Sequence, residues 1–143
     1  MISWREMITA QVTESRISAE ALAAMVKSDA AGAVVTFSGD VRNHDKGKQI
    51  TTLVYEIHPS AGAVIQTLTQ AVAAKYEVEN VATAHRYGPI PIGESAFVVA
   101  VAAAHREAAL KCCEELVERV KAELPIWKYQ TFADGSTEWV NSA

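Results

Sequence analysis

The sequence predicts an α+β fold in which about three helices pack against a largely antiparallel sheet. Three observations point to it. Three stretches repeat apolar residues at helical spacing, others alternate or are β-branched at strand spacing, and turn residues separate them. The resulting order, β-α-β-β-α-β-β-α-β-β, lacks the strict strand-helix alternation of a parallel α/β sheet. At 143 residues, 50% hydrophobic and 21% charged, the chain has the profile of one globular domain. No Pro/Gly/Ser-rich linker and no repeat divides residues 1–143.

Residues 8–14 alternate apolar with polar and read as a half-buried strand. Ser18 is suited to cap a helix with Glu20 in its first turn, Leu22, Met25 and Val26 on one face, and Gly32 at its exit. GAVVTFSGDVR (32–42) reads as a strand with a bulge or close backbone approach at Gly39. A polar loop, 43–49, leads to ITTLVYEIH, whose Leu53, Tyr55 and Ile57 share a face; the simplest pairing is a long hairpin with the strand before it. Pro59 suits a helix start, and Ala61, Ile65, Leu68, Val72 and Tyr76 predict a helix over 60–76.

Two strands follow at 80–87 and 95–105, separated by GPIPIG, whose prolines oppose a regular ladder. The second is apolar on both faces, so it is expected at the centre of the sheet. A third helix is predicted from about Arg106 to Glu123, with Ala109, Cys113, Leu116 and Val120 inward and Pro125 as its stop. Asp134-Gly135 between IWKYQTF and STEWV predicts a hairpin.

The formal charge of -4 opposes a general nucleic-acid binder, which needs a basic face for many phosphates. No apolar run approaches the length of a membrane span, and MISWREMITAQ lacks a signal-peptide pattern, so a cytoplasmic protein is expected. The adjacent Cys112 and Cys113 read as reduced core filler. There is no C-x-x-C, H-E-x-x-H or G-x-S-x-G and no phosphate-cradling glycine fingerprint, so neither a metal site nor a cofactor is expected.

Basic residues collect at element ends: Arg42, His44, Lys46 and Lys48; His85-Arg86; His105-Arg106; Lys121 and Lys128 around Pro125. Such ends are where loops converge into sites on a rigid scaffold, and the composition there suits an anionic ligand. The helix start at Arg106 adds free N–H groups and partial positive charge. Each residue also has a plain reading. Lys121 complements the helix dipole, with its stem beside the apolar stripe and its amine expected partly desolvated. Lys128 and Gln130 alternate with Trp127 and Tyr129, which puts Lys128 by default on a solvated face. Arg42 also reads as a surface ion-pair partner.

Four blocks in fixed order, GAVVTFSGDVRNHD (32–45), HRYGPIPIGE (85–94), AAHREAAL (103–110) and KAELPIWKYQ (121–130), closely resemble the large, catalytic subunit of molybdopterin synthase. The likeness runs from about Gly32 to Val140. It implies an α/β hammerhead-type fold with an antiparallel part. It also implies a sulfurtransferase of molybdenum cofactor biosynthesis, which converts cyclic pyranopterin monophosphate to the dithiolene of molybdopterin. The implied partner is a ubiquitin-like small subunit ending in a Gly-Gly thiocarboxylate, in a heterotetramer built on a homodimer of the large subunit.

By the same resemblance the essential lysines fall on Lys121 and Lys128, the strand-end arginine on Arg42, and the His-Arg pair on His105 and Arg106. Lys121 is taken as the proton-transfer residue nearest the sulfur and Lys128 as the holder of pterin or thiocarboxylate, with the two roles exchangeable. Arg42, His105 and Arg106 would stabilise the growing phosphate charge. Phe37 and Trp127 either line the channel or pack the core. The alternatives to the synthase are a non-catalytic, dimeric anion- or nucleotide-binding regulatory module using the same basic pocket, and a plain scaffold for a ubiquitin-like protein.

Overall fold

The computed structural model describes residues 7–141. Residues 1–6, on which part of the signal-peptide expectation rests, and residues 142–143 lie outside that range. The elements are β1 (Met7–Thr13), α1 (Ala19–Val26), β2 (Ala33–Asp40), β3 (His44–Asp45), β4 (Lys48–Ile57), α2 (Ala61–Ala73), β5 (Asn80–Arg86), β6 (Gly88–Pro89), β7 (Ser95–Ala103), α3 (Arg106–Glu123), β8 (Ile126–Phe132) and β9 (Thr137–Val140). The mixed α+β class and the three helices agree with the reading of the sequence.

The first sheet has the order β1-β5-β7-β2, with β1 and β5 parallel and the other pairs antiparallel. β7 is central and buried along nearly its whole length, as its apolar sequence requires. Its side chains divide by alternation. Val98, Ala100 and Ala102 meet Leu22 and Val26 of α1 on one face. Phe97, Val99, Val101 and Ala103 join Ile65, Leu68 and Val72 of α2 and Leu116 and Val120 of α3 on the other. The helix ends follow their local chemistry: Ser18 Oγ accepts from Ala21 N at 3.1 Å, and α3 stops at Leu124 before Pro125. Cys112 and Cys113 are free and buried in this core, and burial pushes their thiols up to about 12 and 11, the state of inert filler.

The second sheet runs β3-β4-β8-β9, with β6 adding a short bridge to β4 at Val54 and Tyr55. The Asp134-Gly135 turn joins β8 to β9, and Gly135 takes the positive φ of 87° that such a turn requires. One expectation fails: β2 and β4 do not form a hairpin. β7 is apolar on both faces and takes an antiparallel partner along each edge, β5 and β2. β4, buried on one face only, pairs with β8 across the second sheet. The bulge expected at Gly39 is present as a register shift between Gly39 and Asp40, where the chain leaves the first sheet.

Candidate active site

A cavity of about 250 Å³ opens where the end of the first sheet meets the second. Its floor is apolar, with Ile50, Leu53, Ala96 and Phe97, and its polar lining includes Arg42, Lys121, Lys128, His85, Gln130 and Asp40. Arg42 follows β2, Lys121 lies in the last turn of α3, and Lys128 sits on β8. Two stretches far apart in sequence, one at Arg42 and one spanning Lys121 to Lys128, thus deliver three cations from three places in the fold to one cavity.

Backbone pinning fixes where Arg42 sits. Val41 N donates to Glu94 O (3.0 Å), Gly93 N to Val41 O (2.8 Å), and Ile50 N to Asn43 O (2.8 Å), so both neighbours of Arg42 are tied down. Gly39 lies just upstream; a Cβ there would come within 3.3 Å of the Phe37 ring and 3.7 Å of the Phe97 carbonyl. The Arg42 guanidinium stays exposed, 3.6 Å from Asp45. Asp45 also accepts from the amide nitrogen of the buried Gln130 at 2.9 Å. That hydrogen bond, with Lys128, Lys46 and Arg42 nearby, holds the Asp45 carboxyl below the usual carboxylate range. Asp40 accepts from Ser38 and, at 2.7 Å, from Ser95, which lowers it likewise.

Lys128 contradicts its default reading. The Lys128 and Gln130 face of β8 turns inward, leaving Lys128 half-buried and Gln130 buried, while Trp127 and Tyr129 take the other face. Burial lowers the Lys128 amine below the usual lysine range, Arg42 and Lys121 push the same way, and Asp45 partly opposes. Lys121, expected to be half desolvated, is exposed in the single chain.

The two lysines of the 42–48 region are ion-paired away from the cavity, and His44 hydrogen-bonds the side chain of Asn43. Lys46 pairs with Glu138 at 2.9 Å and Lys48 with Asp134 at 3.4 Å, both on or beside the β8–β9 hairpin. Phe37 stands one ring away from the lining, against Phe97 with centroids 5.8 Å apart. His105 and Arg106 are exposed at the N-terminus of α3, at the opposite end of the helix from Lys121. At a rise of about 1.5 Å per residue, Arg106 lies roughly 22 Å along the helix from Lys121. His105 borders a different, wider groove with Tyr76 and Lys111.

Sequence reasoning missed three lining or supporting residues, Tyr55, Gln130 and Asp45, and noted a fourth, His85, only as a basic residue at a strand end. Tyr55 hides inside an apolar strand pattern; burial pushes its hydroxyl up to about 12 and the His85 imidazole down to about 4. Gln130 carried a usable signal, because it repeats Lys128 two residues on and so shares its face. Asp45 carried none before its partners were known.

Fold and site together define a class: an α+β protein that gathers cations from separate elements around a small cavity, a lining whose charge suits a compact anion. A model of the MoaE protein family matches residues 12–123, reaching upstream of Gly32, where the likeness in the motifs begins. This chain belongs to the MoaE protein family. The molybdopterin synthase catalytic subunit of Bacillus subtilis is 36% identical over 131 residues, 91% of this chain and 83% of that protein. The subunit of the same name from Arabidopsis thaliana is 35% identical over 118 residues, covering 82% of this chain but 60% of its own length. This chain therefore spans less than two-thirds of the plant relative. The crystal structure of molybdopterin synthase from Staphylococcus aureus matches with a TM-score of 0.83 at 30% identity, covering 91% of this chain and 95% of that one.

Proposed function

We propose that this chain is the catalytic subunit of a molybdopterin synthase. It is a sulfurtransferase that moves sulfur from a thiocarboxylated, ubiquitin-like small subunit onto cyclic pyranopterin monophosphate to form the dithiolene of molybdopterin. The observation that carries the reading is the meeting of Arg42, Lys121 and Lys128 at one small cavity with an apolar floor. Family membership and relatives named catalytic subunits support the reaction and a companion subunit. That no helix among the described residues is long and apolar enough to cross a membrane accords with a cytoplasmic setting.

Each sulfur arrives as the terminal atom of a Gly-Gly thiocarboxylate and leaves a carboxylate behind, so one dithiolene consumes two donors. Arg42 holds the substrate phosphate, and as the cyclic phosphate opens to a monoester the growing charge falls to it. Lys128, desolvated and lowered, exchanges a proton near neutrality more readily than a lysine in water. Lys121, exposed at the end of α3, is covered only when a donor tail threads in, which ties its proton transfer to a loaded partner. His105 and Arg106 lie too far from this cavity to serve it within one chain; they serve the site of the second copy in a homodimer within a heterotetramer.

Reconstitution tests the reading: the purified chain, a thiocarboxylated small subunit and cyclic pyranopterin monophosphate should yield dithiolene. Absence of product with competent partners overturns it, and binding without turnover favours the non-catalytic anion-binding module. Mixing inactive Lys121→Ala and Arg106→Ala chains should restore part of the activity if Arg106 acts across the dimer.

A further inference from the structure

The His85 ring is fully buried at the end of β5, stacked on Phe97 (centroids 5.5 Å, 16° between planes) and set steeply against Tyr55 (5.0 Å, 77°). Its Nδ1 lies 2.9 Å from the Arg86 carbonyl oxygen. A carbonyl only accepts, so Nδ1 carries the ring proton and Nε2 holds a lone pair. That Nε2 is buried and has no hydrogen-bond partner among the described residues. Native interiors rarely leave such a nitrogen unsatisfied, and this ring borders the cavity.

Among the cavity-lining side chains, Nε2 stands out as a buried acceptor with no partner among the described residues. Arg42, Lys121 and Lys128 only donate. Asp40 accepts from Ser38 and Ser95 through one oxygen, and Gln130 gives its amide nitrogen to Asp45, so each keeps an acceptor oxygen but is already held by protein partners, whereas Nε2 is held by none. We propose that His85 Nε2 accepts an N–H of the bound pterin and so sets the ring's orientation in the cavity, leaving its acceptor atoms and phosphate to the cations.

This inference rests on the functional reading above and deepens it. A pterin presents a donor edge, its 2-amino and lactam N–H groups, beside a carbonyl acceptor. Stripped of water at the cavity floor without an acceptor, that donor edge would be left unpaired. Burial keeps the imidazole neutral near pH 7, with Lys121 adding to the effect, so His85 acts by accepting a hydrogen bond and not as a further cation. His85 is therefore a binding and orienting residue.

The test uses the full chain with its small subunit. Binding of cyclic pyranopterin monophosphate and of inorganic phosphate is titrated for wild type, His85→Phe and His85→Gln. Phenylalanine keeps a ring between Phe97 and Tyr55 but has no lone pair; glutamine offers an amide oxygen near the position of Nε2. His85→Phe is expected to weaken pterin binding roughly tenfold while leaving phosphate and small-subunit binding unchanged, and His85→Gln to recover part of the loss. In the wild-type protein, nitrogen NMR of the imidazole should show an unprotonated Nε2 whose resonance moves on adding pterin, a readout independent of whether a variant folds.

Unchanged pterin affinity in folded His85→Phe, loss of small-subunit docking in its place, or an Nε2 resonance indifferent to pterin overturns the proposal. A nitrogen satisfied by a resident water would give that result, with stability lost and affinity kept. If the wild-type chain binds no pterin, the functional reading falls and takes the His85 assignment with it. If wild type binds and His85→Phe binds equally, the assignment alone falls.

Discussion

In the four-stranded sheet, β5 and β7 bury almost every side chain on both faces, and α1 on one side and α2 with α3 on the other complete the cover. In the second sheet, β4 and β8 alternate buried with open positions, and the inward row of β8 carries Lys128 and Gln130 among Ile126 and Phe132. The first sheet can be specified by volume and apolar surface alone. The second tolerates charge because one side of it is only partly closed, and the cavity forms along the seam between them. A cation on β8 is therefore desolvated enough to shift its amine yet open enough to reach a ligand, a compromise the closed core of β7 does not offer.

The largest expected effects separate the two regions. Lys121→Ala should lower dithiolene formation by roughly a hundredfold or more, the scale of a lost proton-transfer group, with the melting temperature and small-subunit affinity nearly unchanged. Leu116→Ala, in the closed core of α3, should do the reverse: a loss of about 2–5 kcal/mol in denaturant unfolding, with turnover per folded molecule retained. If Lys121→Ala abolishes small-subunit binding, Lys121 is a docking residue and not a chemical one.

His85 belongs to both regions, on a scaffold strand yet at the cavity, and its titration sharpens the contrast. Its imidazole is pushed down from the ordinary 6.5 to about 4 by burial. The unfolded chain then takes up the proton first as pH falls, so stability is complete above about 6.5 and declines toward pH 4. Over that window the cost is about 3 kcal/mol, at about 1.4 kcal/mol per unit. Unfolding curves at stepped pH should show the decline in wild type and its removal in His85→Phe. An equal decline in both would assign the acid sensitivity to other groups.

The same contrast explains what was legible in the sequence. The start of α1, the bounds of α3, the central place of β7, the bulge at Gly39 and the Asp134-Gly135 turn all follow from local chemistry, and each appears near its expected position, whereas α1 stops at Val26 with Lys27 already extended, six residues short of the expected exit at Gly32. The pairing of β4 with β8 did not, because strand alternation shows that one face is buried but not which strand covers it. In the site, Arg42, Lys121 and Lys128 were legible as residue types at element ends. The inward turn of Lys128 was not, since a lysine on an alternating strand reads as solvated until the cavity beside it is seen. His85 was legible as a basic residue at a strand end, but its burial as a neutral ring was not, and its unpartnered Nε2 is what marks it out.

The smallest expected effect concerns how the second sheet holds its charges apart. Gln130, buried on β8, donates to Asp45, while Arg42 stands 3.6 Å from the same carboxylate. Under the proposed function, Gln130 restrains an internal anion that would otherwise compete with the substrate phosphate for Arg42. Gln130→Leu keeps the side chain's bulk but removes the largest influence lowering the Asp45 carboxyl, so its pKa should rise toward the ordinary range, an NMR titration being the measure. The direction follows from linkage: a depressed carboxylate stabilises the fold above its unfolded pKa and loses that contribution as pH falls through the folded value, so the variant has less of it to lose. At pH 7 Asp45 stays charged and is free to close on Arg42, which should raise KM for the phosphate-bearing substrate roughly two- to fivefold with kcat unchanged, the scale of one exposed ion pair. Adding Asp45→Asn should cancel the rise, because the competing charge is gone. A Gln130→Leu chain whose KM stays the same or falls would mean that the Gln130 contact serves packing alone and that Asp45 does not compete for Arg42.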